Sequence, residues 1–201
     1  MRTAEDKSIV MPVVAALQTL VDLFHHDQIV VTNQGSARIW PKLRQRPLDF
    51  HYNPSTMGGM IPLALGLALA QPQREVLAIS GDGSLLMSLG SLVTVVGSGA
   101  TNLTVVLLDN GIYEVTGGQE TPAKRSAVDY AGLARAAGFP STAEFRDLAD
   151  WQARASDFFA LPGSRFVRLV VSAAPPEFLA SGTPPLAGQL AGLQQAMGIF
   201  G

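Results

Sequence analysis

An aspartate held between two glycines, Gly81-Asp82-Gly83 with Ser84 behind it, is followed after 26 residues by an asparagine, Asn110. A carboxylate and a carboxamide oxygen are hard ligands, of the kind a small octahedral cation such as magnesium takes together with phosphate oxygens, a backbone carbonyl and water. Gly81 and Gly83 permit close backbone approach, and the N–H groups at Ser84 and the start of the next helix face an anion. The chemistry on offer is a grip on a magnesium-bound diphosphate. Asp-Gly alone commonly makes only a turn, so the surrounding residues decide between the two.

Those residues predict the elements that would position the pair. Val76, Leu77, Ala78 and Ile79 form a short apolar run of the type buried on both faces of a parallel sheet, which sets Asp82 just past a strand's C-terminal end. Leu85, Leu89, Leu92 and Val96 recur at intervals of four, three and four, predicting one helix over 85–96 that Gly97-Ser98-Gly99 stops. A second apolar strand, 103–108, ends at Asp109-Asn110. With a right-handed crossover the two strands are parallel, and Asp82 and Asn110 reach the same edge, where open α/β sheets bind ligands.

The triplet, its spacing to Asn110, and the blocks 81–94 and 108–119 resemble the thiamine diphosphate enzymes, in particular their sulfopyruvate and phosphonopyruvate decarboxylase branch; a thinner similarity runs over 28–171. The resemblance implies a thiamine diphosphate-binding fold: α/β, a doubly wound, mostly parallel sheet with helices on both faces. It makes Asp82 and Asn110 the side-chain magnesium ligands, with the carbonyl of Ile112 completing the protein's share. Gly81, Gly83 and Ser84 would meet the diphosphate. Pro54-Ser55-Thr56-Met57-Gly58-Gly59 is similar to the family's Gly-Ser-Met-Gly element. By that resemblance Met57 would lie under the bend of the cofactor, and its N–H and the Ser55 carbonyl would bond the aminopyrimidine ring. Ser55 stands where a glycine is usual, although the role is a backbone one. Ordinary core filling is the other account of Met57. Thr32 to Ala37, after a strand over 28–31, would bring Gly35 and Ser36 to the diphosphate; a helix N-cap at Ser36 explains the same residues.

Enzymes of this kind need two α/β domains, one for the diphosphate and one offering a Glu to the pyrimidine ring. Residues 1–201 read as a single diphosphate domain, with 174–201 as a C-terminal linker and helix. None of Glu5, Glu75, Glu114, Glu120, Glu144 and Glu177 has a recognisable pyrimidine-domain setting. The implied partner is a separate pyrimidine-domain subunit, in a hetero-oligomer with two copies of each chain or more. The implied function is the cofactor-binding subunit of a two-chain 2-oxo acid decarboxylase, acting non-oxidatively through the cofactor's ylide and enamine. A carboligase subunit using the same machinery is the alternative, as is a noncatalytic cofactor-binding regulatory subunit.

Other polar residues divide less sharply. Gln119 and Thr121 would hydrogen-bond substrate in that resemblance, or belong to a glycine-rich loop with incidental polar groups. Glu114 counts against a sulfonate or phosphonate nearby. Of the histidines, which titrate near neutrality, His25 and His26 suit the C-terminus of a helix over 9–24. His51, six residues before Met57, is the candidate for proton transfer, in a polar loop it shares with Asn53. Arg38, Lys42, Arg44 and Arg46 read as a solvated loop or an interface rim. With a formal net charge of −2 they make no nucleic-acid surface. Lys124-Arg125 is a comparable cluster.

Helices are predicted over 128–137 and 145–159, a strand over 165–172, and a last helix with Leu186, Leu190, Leu193 and Met197 as its apolar stripe. There is no cysteine, which excludes disulfides and thiolate chemistry. The N-terminal residues lack the form of a signal peptide. The longest apolar stretch, 57–70, is interrupted by Pro62 and too short to span a bilayer. Together these imply no membrane and a cytoplasmic protein.

Overall fold

The structure is a computed structural model that describes residues 10–24, 26–180 and 182–199. In chain order its elements are α1 (Val13–Leu23), β1 (Ile29–Asn33), α2 (Gln34–Leu43), β2 (Asp49–Tyr52), α3 (Met60–Ala70), β3 (Val76–Gly81), α4 (Asp82–Leu86) and α5 (Gly90–Gly97). They continue with β4 (Leu103–Asp109), the two-residue strands β5 (Ile112–Tyr113) and β6 (Gln119–Glu120), α6 (Pro122–Ser126), α7 (Tyr130–Ala137), β7 (Ser141–Phe145), α8 (Leu148–Phe159), β8 (Arg165–Val170), α9 (Pro176–Leu179) and α10 (Leu186–Ala196).

Six strands form one sheet in the order β2-β1-β3-β4-β8-β7, with every neighbouring pair parallel. β1, β3 and β4 sit at its centre because nearly all their side chains are apolar and buried on both faces. Alternate residues feed two cores. Val31, Ala78 and Val105 face α3, α5, α7 and α10, whereas Val30, Leu77 and Val106 face α1, α2 and α8. This is the doubly wound architecture expected. From β1 the chain moves outward to β2, then returns across β1 to β3, so the strand order reverses between β1 and β3. Such a reversal opens a crevice at the carboxyl ends of the strands.

Several expected boundaries move. The helix over 85–96 is two helices, α4 and α5, separated by turns at Met87, Ser88 and Leu89. Asp49 to Tyr52, taken for a polar loop, is edge strand β2: Phe50 enters one core while Asp49 is held on the other side by Arg44 and Arg46 at 3.1 and 2.9 Å. Arg38 and Lys42 lie on α2 and not in a loop. The helix expected from 145 begins at Leu148, capped by Asp147, because Phe145 ends β7. The one expected from 128 begins at Tyr130, capped by Asp129.

The C-terminal segment crosses the molecule. Arg38 Nη1 and Lys42 Nζ on α2 donate to the carbonyls of Leu179 and Glu177, tying α9 down. Leu193 on α10 is buried in one core, but Leu190 of the expected stripe is exposed. Gln189 uses its amide as a surrogate strand: Oε1 accepts the His51 N–H at 2.6 Å and Nε2 donates to the His51 carbonyl at 3.3 Å. The outer edge of β2 is thereby occupied at that residue. Among the described residues no helix is long and apolar enough to cross a membrane.

Candidate cofactor site

The crevice holds a cavity lined by the ends of β1 (Asn33) and β3 (Gly81), the start of α2 (Gln34, Gly35), Met57, Asp82 to Ser84, Asn110, and Ile112 to Val115. Two hydroxyl-bearing side chains, Ser36 and Ser172, also reach it. Gly35, Ser36, Met57, Gly81, Asp82, Gly83, Ser84, Asn110 and Ile112, nine of the ten expected cofactor contacts, all meet here.

Asp82 follows directly on β3 and is 1% exposed. Burial pushes its carboxyl up to about 6, and the nearby Asp109 adds to the rise; the Thr121 hydroxyl and the Gly83 N–H, which bond the charged form, oppose it. Thr121 Oγ1 donates to Asp82 Oδ2 at 3.0 Å. It gets there because β5 and β6 fold back as a hairpin that closes with Thr121 N–H on the Gly111 carbonyl. Asp109 itself is ion-paired with Arg168, which also reaches Glu144 at 2.7 Å. Asn110 Oδ1 accepts from the Ile112 N–H at 3.1 Å, and Nδ2 donates to Glu114 Oε1 at 3.3 Å. Gly111 takes the positive φ, 72°, that this turn requires. Gly83 is a glycine for a different reason: a Cβ there would lie 2.5 Å from the Tyr113 ring.

Ser84 joins three segments. Its Oγ accepts from the Gly58 N–H at 3.0 Å and stands 3.2 Å from Asn33 Nδ2. This fixes the Met57 loop against the β3 turn, with Met57 half-buried at the cavity wall. Ser55 is half-buried in the same loop and does not line the cavity.

At the β1 end, Ser36 turns inward. Its Oγ accepts from the Asn33 N–H at 3.2 Å and lies 2.8 Å from the Asn33 carbonyl, so the N-cap is Asn33 and Ser36 is the third helical residue. Gln34 adopts φ 52°, a left-handed conformation uncommon for a side-chain-bearing residue. Glu114 lies against Gly35, in the space a Cβ at that position would take, and its Oε1 accepts from the Ala174 N–H at 2.6 Å. Asn33, Gln34 and Glu114 are cavity residues for which sequence reasoning assigned no cofactor role. The one available signal was Asn33, a preferred N-cap residue next to an apolar strand.

The expected catalytic residues lie apart from this cluster. His51 is 3% exposed within β2, its Nδ1 sharing a 2.9 Å hydrogen bond with Thr32 Oγ1. Burial holds its imidazole down at about 4, against the pull of Asp49, so it is neutral at pH 7. It lines a second cavity, beneath α10, together with Arg46 and Gln189. Gln119 is exposed on β6, paired with Tyr113, and lines neither cavity. Thr121 is fully buried on Asp82. His26 is exposed beyond α1, and His25 lies outside the described residues, as do the N-terminal residues 1–9.

The donor set fits a magnesium-bound diphosphate. Among the described residues no three His, Cys, Asp or Glu side chains gather around a point. A cation held by Asp82 and Asn110 would therefore draw its remaining oxygens from a ligand, a carbonyl and water, which is how magnesium is usually bound.

A family model described as "Thiamine pyrophosphate enzyme, C-terminal TPP binding domain" matches residues 31–169. Phosphonopyruvate decarboxylase of Streptomyces viridochromogenes is 37% identical over 159 residues, covering 79% of this chain and 39% of that protein. Sulfopyruvate decarboxylase subunit beta of Methanothermobacter thermautotrophicus is 40% identical over 132 residues, covering 65% of this chain and 69% of the relative. The chain thus spans well under half of the first relative and about two thirds of the second. Among solved structures, benzoylformate decarboxylase of Polynucleobacter necessarius superposes with a TM-score of 0.68 at 18% identity, over 85% of this chain and 35% of that one. That likeness is one of fold.

Proposed function

Since the chain belongs to the thiamine pyrophosphate enzymes, as a C-terminal TPP-binding domain, we propose that it is the diphosphate- and magnesium-holding part of a 2-oxo acid decarboxylase of the sulfopyruvate and phosphonopyruvate type. The observation that carries this reading is the convergence of Asp82, Asn110, Met57 and the first turn of α2 on one cavity at the switch point of the sheet.

In this reading Asp82 and Asn110 give side-chain oxygens to the cation and Ile112 its carbonyl. Gly35, Gly81, Gly83 and Ser84 surround the diphosphate, with Ser36 bracing the turn behind them. Met57 props the cofactor from below, while its N–H and the Ser55 carbonyl orient the pyrimidine ring. The cofactor, once bound, supplies the electron sink that lets a 2-oxo acid lose carbon dioxide, and the protein supplies position and electrostatics. Gln119, on the exposed hairpin, is the residue of this chain assigned to meet substrate. His51, neutral and tied to Thr32, serves the packing of β2 and not proton transfer.

A Glu for the pyrimidine ring comes, in this reading, from a separate pyrimidine-domain subunit. Relatives carrying the name "subunit beta" support a second chain. So does an apolar strip beside the Met57 loop, where Met87 and Val93 are 55% and 61% exposed. A cytoplasmic setting completes the proposal.

Calorimetry with thiamine diphosphate and magnesium tests it, using this chain alone and mixed with a candidate pyrimidine-domain chain. Tight binding in the mixture only, followed by carbon dioxide release from a 2-oxo acid, is the expected result. Tight binding by the chain alone would refute the divided site. Carbon–carbon bond formation as the main outcome, with an acceptor aldehyde present, would move the assignment to a carboligase.

A further inference from the structure

The Asn110 amide is held at both of its ends. Its Oδ1 accepts from the Ile112 N–H at 3.1 Å, and its Nδ2 donates to Glu114 Oε1 at 3.3 Å. The two ends of an asparagine amide have nearly the same shape and opposite hydrogen-bonding character. Turned over, this amide would set N–H against N–H and oxygen against carboxylate, so the two contacts together select one orientation. In that orientation Oδ1 keeps a second lone pair for a cation, whereas the reversed amide would offer a cation its protons.

Glu114 is itself fixed. Oε1 also accepts from the Ala174 N–H at 2.6 Å, which ties the carboxylate to the segment after β8. Oε2 lies in the space a Cβ on Gly35 would take. The backbone at Gly35 is not left-handed, so the missing side chain answers to this contact and not to the conformation of the turn. Three segments, the start of α2, the end of β5 and residues 172–174, thus converge on one carboxylate.

That carboxylate lines the cavity, and none of the lining residues is Lys, Arg or His. With Asp82, its charge favours a divalent cation and opposes a diphosphate that arrives without one. Glu114 joins no cluster of three acidic or histidine side chains among the described residues, and its reach to the ion passes through the Asn110 amide. A bond from Nδ2 to a carboxylate draws electron density onto Oδ1 and keeps it in place.

Building on the cofactor assignment above, we propose that Glu114 is a positioning residue of the cation site, one that holds the Asn110 amide with Oδ1 free for magnesium and strengthens that oxygen as a ligand without touching the ion.

The test titrates manganese(II), a paramagnetic stand-in for magnesium, into the reconstituted complex at saturating thiamine diphosphate, with free ion counted by electron paramagnetic resonance. Glu114→Ala should weaken cation binding about tenfold. Glu114→Gln, whose amide oxygen can still accept from Asn110 and Ala174 but carries no charge, should recover part of this and bind about threefold more weakly than wild type. Asn110→Asp has two like oxygens and no wrong orientation, so in that background Glu114→Ala should cost no more than about twofold. A Glu114 that merely supports the fold would cost the same in both backgrounds. Thermal midpoints show which variants are folded, and Glu114→Met, which fills the same space without an acceptor, replaces the alanine variant if that one is not. Cation affinity at or above that of wild type in Glu114→Ala, or equal losses in the two backgrounds, overturns this inference alone. A wild-type complex that binds no cation with thiamine diphosphate overturns it together with the cofactor assignment.

Discussion

Asp82 is costly where it stands. Its carboxyl is pushed up to about 6 by burial and by Asp109, well above the ordinary aspartate value of 3.8. A raised carboxyl means the folded chain holds the proton more tightly than the unfolded one. Its contribution to stability is therefore greatest below pH 4 and is lost as pH rises through 6. At pH 7 the unloaded protein bears the full cost of a buried carboxylate, offset only when a cation arrives. Asp82→Asn removes the charge and leaves an oxygen for Thr121. Its thermal midpoint without ligand should exceed that of wild type by about 5 °C at pH 7 and by almost nothing at pH 4. Binding of magnesium with thiamine diphosphate should disappear in the same variant. Scanning calorimetry at the two pH values decides it: an equal midpoint for variant and wild type at pH 7 would remove the idea that function is held here against stability.

Among the elements, those buried on two sides were readable and those at the margins were not. β3 and β4 are mostly apolar and buried almost along their whole length, so the strand ends that carry Asp82 and Asn110 could be placed from composition. β2 and β7 are the sheet's two edges, each paired on one side only, and their polar residues hide them: Asp49 and His51 in the first, Ser141, Thr142 and Glu144 in the second. The break between α4 and α5 answers to a distant contact, the approach of Gly58 to Ser88, where a Cβ on Gly58 would come within 3.1 Å of the Ser88 Cβ. Asn33 escaped notice because its part depends on β1 lying next to β3, where Thr32 pairs with Ile79 and the Ser36 hydroxyl donates to the Ile79 carbonyl. The buried His51 makes β2 sensitive to acid. Its proton affinity is lowered from 6.5 to about 4, so its share of stability is present above pH 6.5 and is lost as pH falls toward 4, at up to ~1.4 kcal/mol per unit. His51→Gln should flatten that limb of a urea-denaturation pH series, and an unchanged slope would show that the imidazole already carries a proton when folded.

For the whole molecule, the fold presents a nearly finished site to a face it does not cover itself. Met87, Leu89 and Val93 stand out from α5 and the turn before it, next to the Met57 loop. Val93→Asp puts a charge on that face without touching a core. Sedimentation of the mixed chains should show association weakened by about tenfold or more, with the variant's own thermal midpoint within about 1 °C of wild type. Association at wild-type strength would send the search for the contact face elsewhere. At the β2 edge of the sheet the molecule manages a different exposure. The outer edge of β2 is met by a side chain, Gln189 on α10, and not by another strand. An open strand edge is a template for pairing with another copy, so the last helix carries much of the protein's solubility. A preparation clipped near Thr183 would keep its sheet and its cofactor cavity and still precipitate, which makes an intact C-terminus the first thing to verify in any sample that clouds on storage.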